Sequence, residues 1–226
     1  MGQCFSDNGP LRLHNMTDHK EPEKDLTDNE IVRLFGLVAK ELDKAGKNVT
    51  IVAIGGAVNT VLLHSRQSTT DVDFFYTTKT ENEDVHSVVE AAKKVSKSEK
   101  LGDQWLNNHT VLFIQEEKIM ILYNEACSQN REIFKAKGLT VLAAPWHYAL
   151  TAKIDRLAKV GAKVHDLPDA VTYLHELVKV KRSLVSKAEL AGWAREYKCT
   201  QANSDLLRRI NEAYVEKYGS QGIDGV

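Results

Sequence analysis

Asp71 and Asp73 stand two positions apart with apolar Val72 and Phe74 interleaved, a spacing that puts both carboxylates on one side of a strand. Like charges held that close either share a proton or hold a divalent cation. A short way upstream, residues 51–54 read as a buried strand, Gly55 and Gly56 as a turn, and residues 57–64 as a helix whose N-terminus suits phosphate. Arg66 offers a planar fork for phosphate oxygens, and Ser68 and Thr69 offer hydroxyls. Mg²⁺ is the cation to expect, because it favours one or two carboxylates together with substrate phosphates. Each feature also has a plain reading: an acidic strand face, a tight connection, a solvated loop arginine, turn-forming hydroxyls. Their company on one short unit is what favours chemistry.

Further along, Lys153 and Arg156 lie three apart on a helical pattern and share a face that is either a phosphate contact or ordinary basic surface. Asp166 and Asp169 follow. Asp166 could cap a helix beginning around Pro168, with Asp169 favourable in the first turn, and His165 beside them reads as surface or cap.

Taken in order, Gly55-Gly56, Arg66 with Ser68 and Thr69, Asp71-Val72-Asp73, Lys153-Ile154-Asp155-Arg156 and Asp166-Leu167-Pro168-Asp169 resemble the signature of the nucleotidyltransferase superfamily, the fold shared with DNA polymerase β. Within it they look most like the AbiEii-like branch. The resemblance covers residues 48–180. It implies an α+β fold, with a small mixed sheet, flanking helices and a helical C-terminal part. It also implies a reaction in which a nucleoside monophosphate moves from a nucleoside triphosphate to an acceptor hydroxyl with release of pyrophosphate. In that picture Asp71 and Asp73 are the metal pair for two Mg²⁺ ions. Gly55, Gly56, Arg66, Ser68, Thr69, Lys153 and Arg156 bind the nucleotide, and Asp169 or Asp166 takes the acceptor's proton. Acceptors in such families include tRNA, proteins and small molecules. One departure stands out: the wider superfamily carries a third carboxylate on a later strand, and residues 118–123, which read as that strand, contain none. A catalytically silent nucleotide-binding or adaptor protein is therefore the alternative.

The rest of the chain bounds the answer. With 226 residues and a formal charge of -1, it has room for a core and no overall attraction to polyanions, although residues 151–226 carry a mild basic excess. Three scattered cysteines fit neither a zinc pattern nor a disulfide framework, and no apolar run spans a membrane, which together point to the cytoplasm. Residues 1–25 read as a flexible leader, 26–145 as the nucleotidyltransferase-like core and 146–226 as a helical region packed on it. The leader opens Met-Gly-Gln-Cys-Phe-Ser, which places Gly2 for myristoylation and Cys4 for palmitoylation, and so suggests membrane association; the alternative is a chance match. Thr27 to Glu30 and Ser186 to Glu189 are capping boxes. Residues 83–97 read as an amphipathic helix, 111–115 and 118–123 as a hairpin, 139–142 as a strand, and Pro145 as the start of helices running to Tyr218.

Overall fold

The computed structural model describes residues 24–79 and 82–226, so Gly2 and Cys4 lie outside the described residues. A short strand β1 (Leu26–Thr27) leads into helix α1 (Asp28–Lys44) through the expected capping box: Thr27 Oγ1 accepts from the Glu30 N–H while the Glu30 carboxylate accepts from the Thr27 N–H. β2 (Val49–Ile54) runs into the glycine turn, and a single π turn (Val58–Leu62) stands where a longer helix was expected. Then come β3 (Ser68–Thr69), β4 (Val72–Phe75), α2 (Glu83–Glu99), β5 (Leu106–Asn107) and a 3₁₀ turn (His109–Phe113). α3 (Glu116–Gln129), β6 (Glu132–Ala136), β7 (Leu139–Ala143), α4 (Trp146–Leu157) and α5 (Asp166–Lys181) follow. The chain closes with β8 (Val185–Ser186), α6 (Lys187–Glu196), α7 (Ser204–Tyr218) and β9 (Ile223–Asp224).

The architecture is α+β around one mixed five-stranded sheet in the order β5-β4-β2-β7-β6. β2 is antiparallel to β4 and parallel to β7, so the most buried strand sits at the centre. Alternation along β2 divides two cores. Val49, Ile51 and Ala53 face the apolar stripe of α1 (Ile31, Leu34, Phe35, Val38 and Leu42), whereas Val52 and Ile54 face Ile119, Leu122 and Ala126 of α3. The larger core continues without a break into the C-terminal helices through Leu150, Ile154, Tyr173, Leu174 and Ile210.

Two expectations need correction, and one strand was not foreseen. The hairpin over residues 111–123 is a 3₁₀ turn followed by α3. Ile119, Leu122 and Ala126 are buried at helical spacing, while Met120 and Ile121 stay exposed. β6 was not anticipated; it is an edge strand, mostly exposed, pairing antiparallel with β7. The C-terminal stretch is helical but interrupted, with β8 pairing parallel to β9 near the chain end.

Candidate functional site

The sheet register assembles the dicarboxylate and the glycine turn. Ile54, the last residue of β2, pairs with Asp73, so Gly55 and Gly56 leave the sheet beside the start of β4. Val72 and Phe74 are fully buried while Asp71 and Asp73 are half-buried, as alternation requires. Burial, followed by the neighbouring Asp71 charge, pushes the Asp73 carboxyl up to about 6; His109, Asn107 and Arg156 act in the opposite sense. Among the described residues, no lysine or arginine forms an ion pair with either carboxylate. No group of three or more His, Cys, Asp or Glu side chains is clustered to hold a metal there or elsewhere among them. Two crowded carboxylates without an ion-pair partner fit Mg²⁺ better than a cation needing an all-protein cage, because Mg²⁺ keeps waters and substrate phosphates as its other ligands.

Gly55 needs its freedom for conformation, at φ +79°, and its carbonyl accepts from both the Asn59 amide (2.9 Å) and the Tyr173 hydroxyl (3.2 Å). Asn59 also donates to Tyr173, at 2.7 Å, and both side chains are buried. This pair was missed in the sequence, although it fixes the turn. Gly56 is required for a different reason: a Cβ there would fall 2.1 Å from Thr69 Oγ1. The turn thus packs against β3. Thr69 is buried and pairs with Leu26 of β1, Ser68 is half-buried and pairs with Thr27, and Thr69 Oγ1 donates to the Asp71 carbonyl.

The second carboxylate pair lies in a different setting. Asp166 and Asp169 open α5, two residues earlier than Pro168 suggested, and both are 0% exposed. Arg66 grips Asp169 with two donors, Nε at 2.9 Å and Nη2 on the other oxygen. Lys153, itself buried at 5% exposure, reaches Asp169 at 2.8 Å and Asp166 at 3.0 Å. Asp166 also accepts from the Lys163 N–H at 2.8 Å and meets Arg156 Nε at 3.4 Å. Burial alone would raise the Asp166 carboxyl, but the Lys163 N–H, Lys153 and Arg156 outweigh it and hold the group below its ordinary value. Arg66 and Lys153 are therefore committed to Asp169. Arg156 is the half-exposed member of the network, touching Asp166 while its charge also acts on Asp73. Asp155, on the other side of the helix, bonds Lys159 and the Thr200 N–H.

Beside β4, on the β5 flank, lies a pocket of about 140 Å³ whose lining includes Asp71, Thr70, Gln104, Trp105, Asn107 and His109. Asn107 pairs in register with Asp73, so the strand next to the dicarboxylate carries an amide at the position of closest approach. That amide donates to the Gln104 carbonyl at 3.1 Å, accepts from the His109 N–H at 3.0 Å and also hydrogen-bonds the Asp73 carboxylate. Neither Asn107 nor His109 was singled out in the sequence, because the strand was sought at residues 118–123.

No helix among the described residues is long and apolar enough to cross a membrane. Neither the curated proteins nor the solved structures include a match to this chain. A family model described as "Domain of unknown function (DUF7582)" matches residues 24–221, which takes in every element from β1 to α7, and the chain belongs to that family.

Proposed function

We propose that this protein is a Mg²⁺-dependent nucleotidyltransferase that moves a nucleoside monophosphate from a nucleoside triphosphate to an acceptor hydroxyl. The observation that carries the reading is the Ile54–Asp73 register, which sets a crowded dicarboxylate without an ion-pair partner beside a glycine turn at one end of the sheet. Asp71 and Asp73 hold the metal, which when bound supplies neutralisation of the phosphate charge. The Gly55-Gly56 turn and the following π turn present backbone to the triphosphate, with Ser68 at the rim.

The cations divide by their partners. Arg66 and Lys153 are bound to Asp169, so their part is to hold α4, α5 and the loop before β3 in one arrangement. Arg156, half-exposed and close enough to act on Asp73, is the residue best placed to meet phosphate. Asp169 and Asp166 are already engaged by Arg66, Lys153 and Arg156, which assigns them to positioning. A second reading, nucleotide binding without transfer, is favoured by one observation: Asn107 stands opposite Asp73 where a third carboxylate would strengthen metal binding.

Calorimetric titration of ATP, GTP, CTP and UTP with Mg²⁺ tests the site. Binding to the wild type that is lost in the Asp71→Asn, Asp73→Asn double variant supports it, and equal binding by the variant overturns it. Pyrophosphate release then separates transfer from silent binding.

A further inference from the structure

A nucleoside triphosphate is a linear succession of γ, β and α phosphates, ribose and base, so placing its phosphates sets the direction in which the rest runs. The sheet order β5-β4-β2 puts the glycine turn on one flank of the dicarboxylate strand and the pocket on the other. With the triphosphate over the turn and the α phosphate at the metal held by Asp71 and Asp73, ribose and base continue onto the β5 flank. The pocket adjoins the dicarboxylate directly. Asp71 forms part of its wall, and Asn107, another lining residue, hydrogen-bonds the Asp73 carboxylate.

The chemistry of the walls fits a base. Leu26, Leu101 and Trp105 are buried and supply an apolar side. The Trp105 indole N–H is spent on the Ala92 carbonyl at 3.2 Å, so what that ring offers the pocket is apolar surface. Thr70, Gln104 and His109, all exposed, bring a hydroxyl, an amide and an imidazole to the same lining. A flat ring with apolar faces and a hydrogen-bonding edge answers both halves. A phosphate or a sugar would set polar groups against Leu26, Leu101 and Trp105 without hydrogen-bond partners. The wall is also preset, because Asn107 ties the Gln104 carbonyl to the His109 N–H before any ligand arrives.

Size then selects among bases. An apolar cavity of about 150 Å³ takes benzene, a single ring. At about 140 Å³ this pocket accommodates a pyrimidine, and the second ring of a purine is left outside it. We infer that the β5-flank pocket receives the base of the nucleoside triphosphate, and that its volume makes the protein selective for CTP and UTP over ATP and GTP. This rests on the nucleotidyltransferase reading above and applies equally to transfer and to silent binding.

The test is calorimetry with Mg²⁺ and CTP, UTP, ATP, GTP or inorganic tripolyphosphate, the last probing the turn and dicarboxylate without ribose or base. CTP and UTP should bind at least about tenfold more tightly than ATP, GTP and tripolyphosphate. Gly102 lines the pocket where a new Cβ meets open space, so Gly102→Trp adds bulk to the cavity. It should bring CTP and UTP down to the affinity of ATP and GTP, with tripolyphosphate bound as before. Gly102→Leu, smaller at the same position, decides the matter where the tryptophan variant loses tripolyphosphate as well. Equal affinity for all four nucleotides, a preference for purines, or pyrimidine selectivity that survives both substitutions would overturn base selection by this pocket. Each leaves the nucleotidyltransferase reading in place as long as tripolyphosphate binding needs Mg²⁺ and is lost in the Asp71→Asn, Asp73→Asn double variant. No binding of any of these ligands overturns both.

Discussion

Two pairs of aspartates occupy this molecule, and their surroundings differ more than their spacing. Asp71 and Asp73 stand half-buried at the start of a strand with no ion-pair partner among the described residues, and Asp73 is raised toward neutrality by burial and by its neighbour. Asp166 and Asp169 are wholly buried at the start of a helix and are met by Arg66, Lys153 and Arg156. The difference is one of partners: a carboxylate pair without an ion-pair partner is left raised by burial and mutual repulsion, whereas one met by cations is held ionised and ties its elements together.

Substitutions can break that contrast. The largest effect is expected on chemistry: Asp71→Asn should lower nucleotidyl transfer by about a hundredfold to a thousandfold, as loss of a charge-stabilising group does, with the thermal transition little changed. Retained turnover in a steady-state assay would remove Asp71 from the site. Next, Asp169→Ala should cost about 3–5 kcal/mol, because Arg66 and Lys153 would be left buried without their shared partner. Chemical denaturation measures this, and a loss under about 1 kcal/mol would show that the network is not holding α4 to α5.

Asp73 sharpens the comparison through its pH dependence. Its folded value of about 6 lies above the ordinary 3.8, so the folded state holds its proton more tightly than the unfolded chain does. Stability from this group is therefore full below about pH 4 and is lost as pH rises through 6. Asp73→Asn should accordingly stabilise the metal-free protein at pH 8, by about 1–2 kcal/mol, and lose that advantage by pH 4, while abolishing transfer. An equal melting temperature shift at both pH values would rule out the raised Asp73 carboxyl as the cause of the gain. The smallest effect belongs to the capping box: Thr27→Ala should cost about 1 kcal/mol in the same denaturation experiment, with catalysis unchanged in kcat.

Local order was legible where sequence pattern and burial agreed. The capping boxes at Thr27 and Ser186 and the strand into Gly55 all appear in the fold, as does Asp73 on the polar side of β4. α3 was misread because Met120 and Ile121 are apolar residues that the helix leaves exposed, which turned a period of 3.6 into an apparent apolar run. β6 escaped because an exposed edge strand carries little hydrophobic signal. At the site, the residue types were readable but their partners were not. Arg66 and Lys153 look like phosphate ligands in sequence, and only the fold brings Asp169 to them, across 103 residues in the case of Arg66. The Asn59–Tyr173 bond under the glycine turn spans 114 residues, beyond any local pattern.

The pairing of Leu26 with Thr69 has a mechanical consequence. Residues 1–23 join the fold at β1, ahead of α1, and β1 is hydrogen-bonded to the same two-residue strand that packs on Gly56 and leads into Asp71. Tension applied through the N-terminus in a force experiment would bear on the β1–β3 pairing, next to the loop that carries the dicarboxylate. Peeling the two residues of β1 would free Ser68 and Thr69 from their strand partners, so this short pairing is a joint that bears on the candidate site.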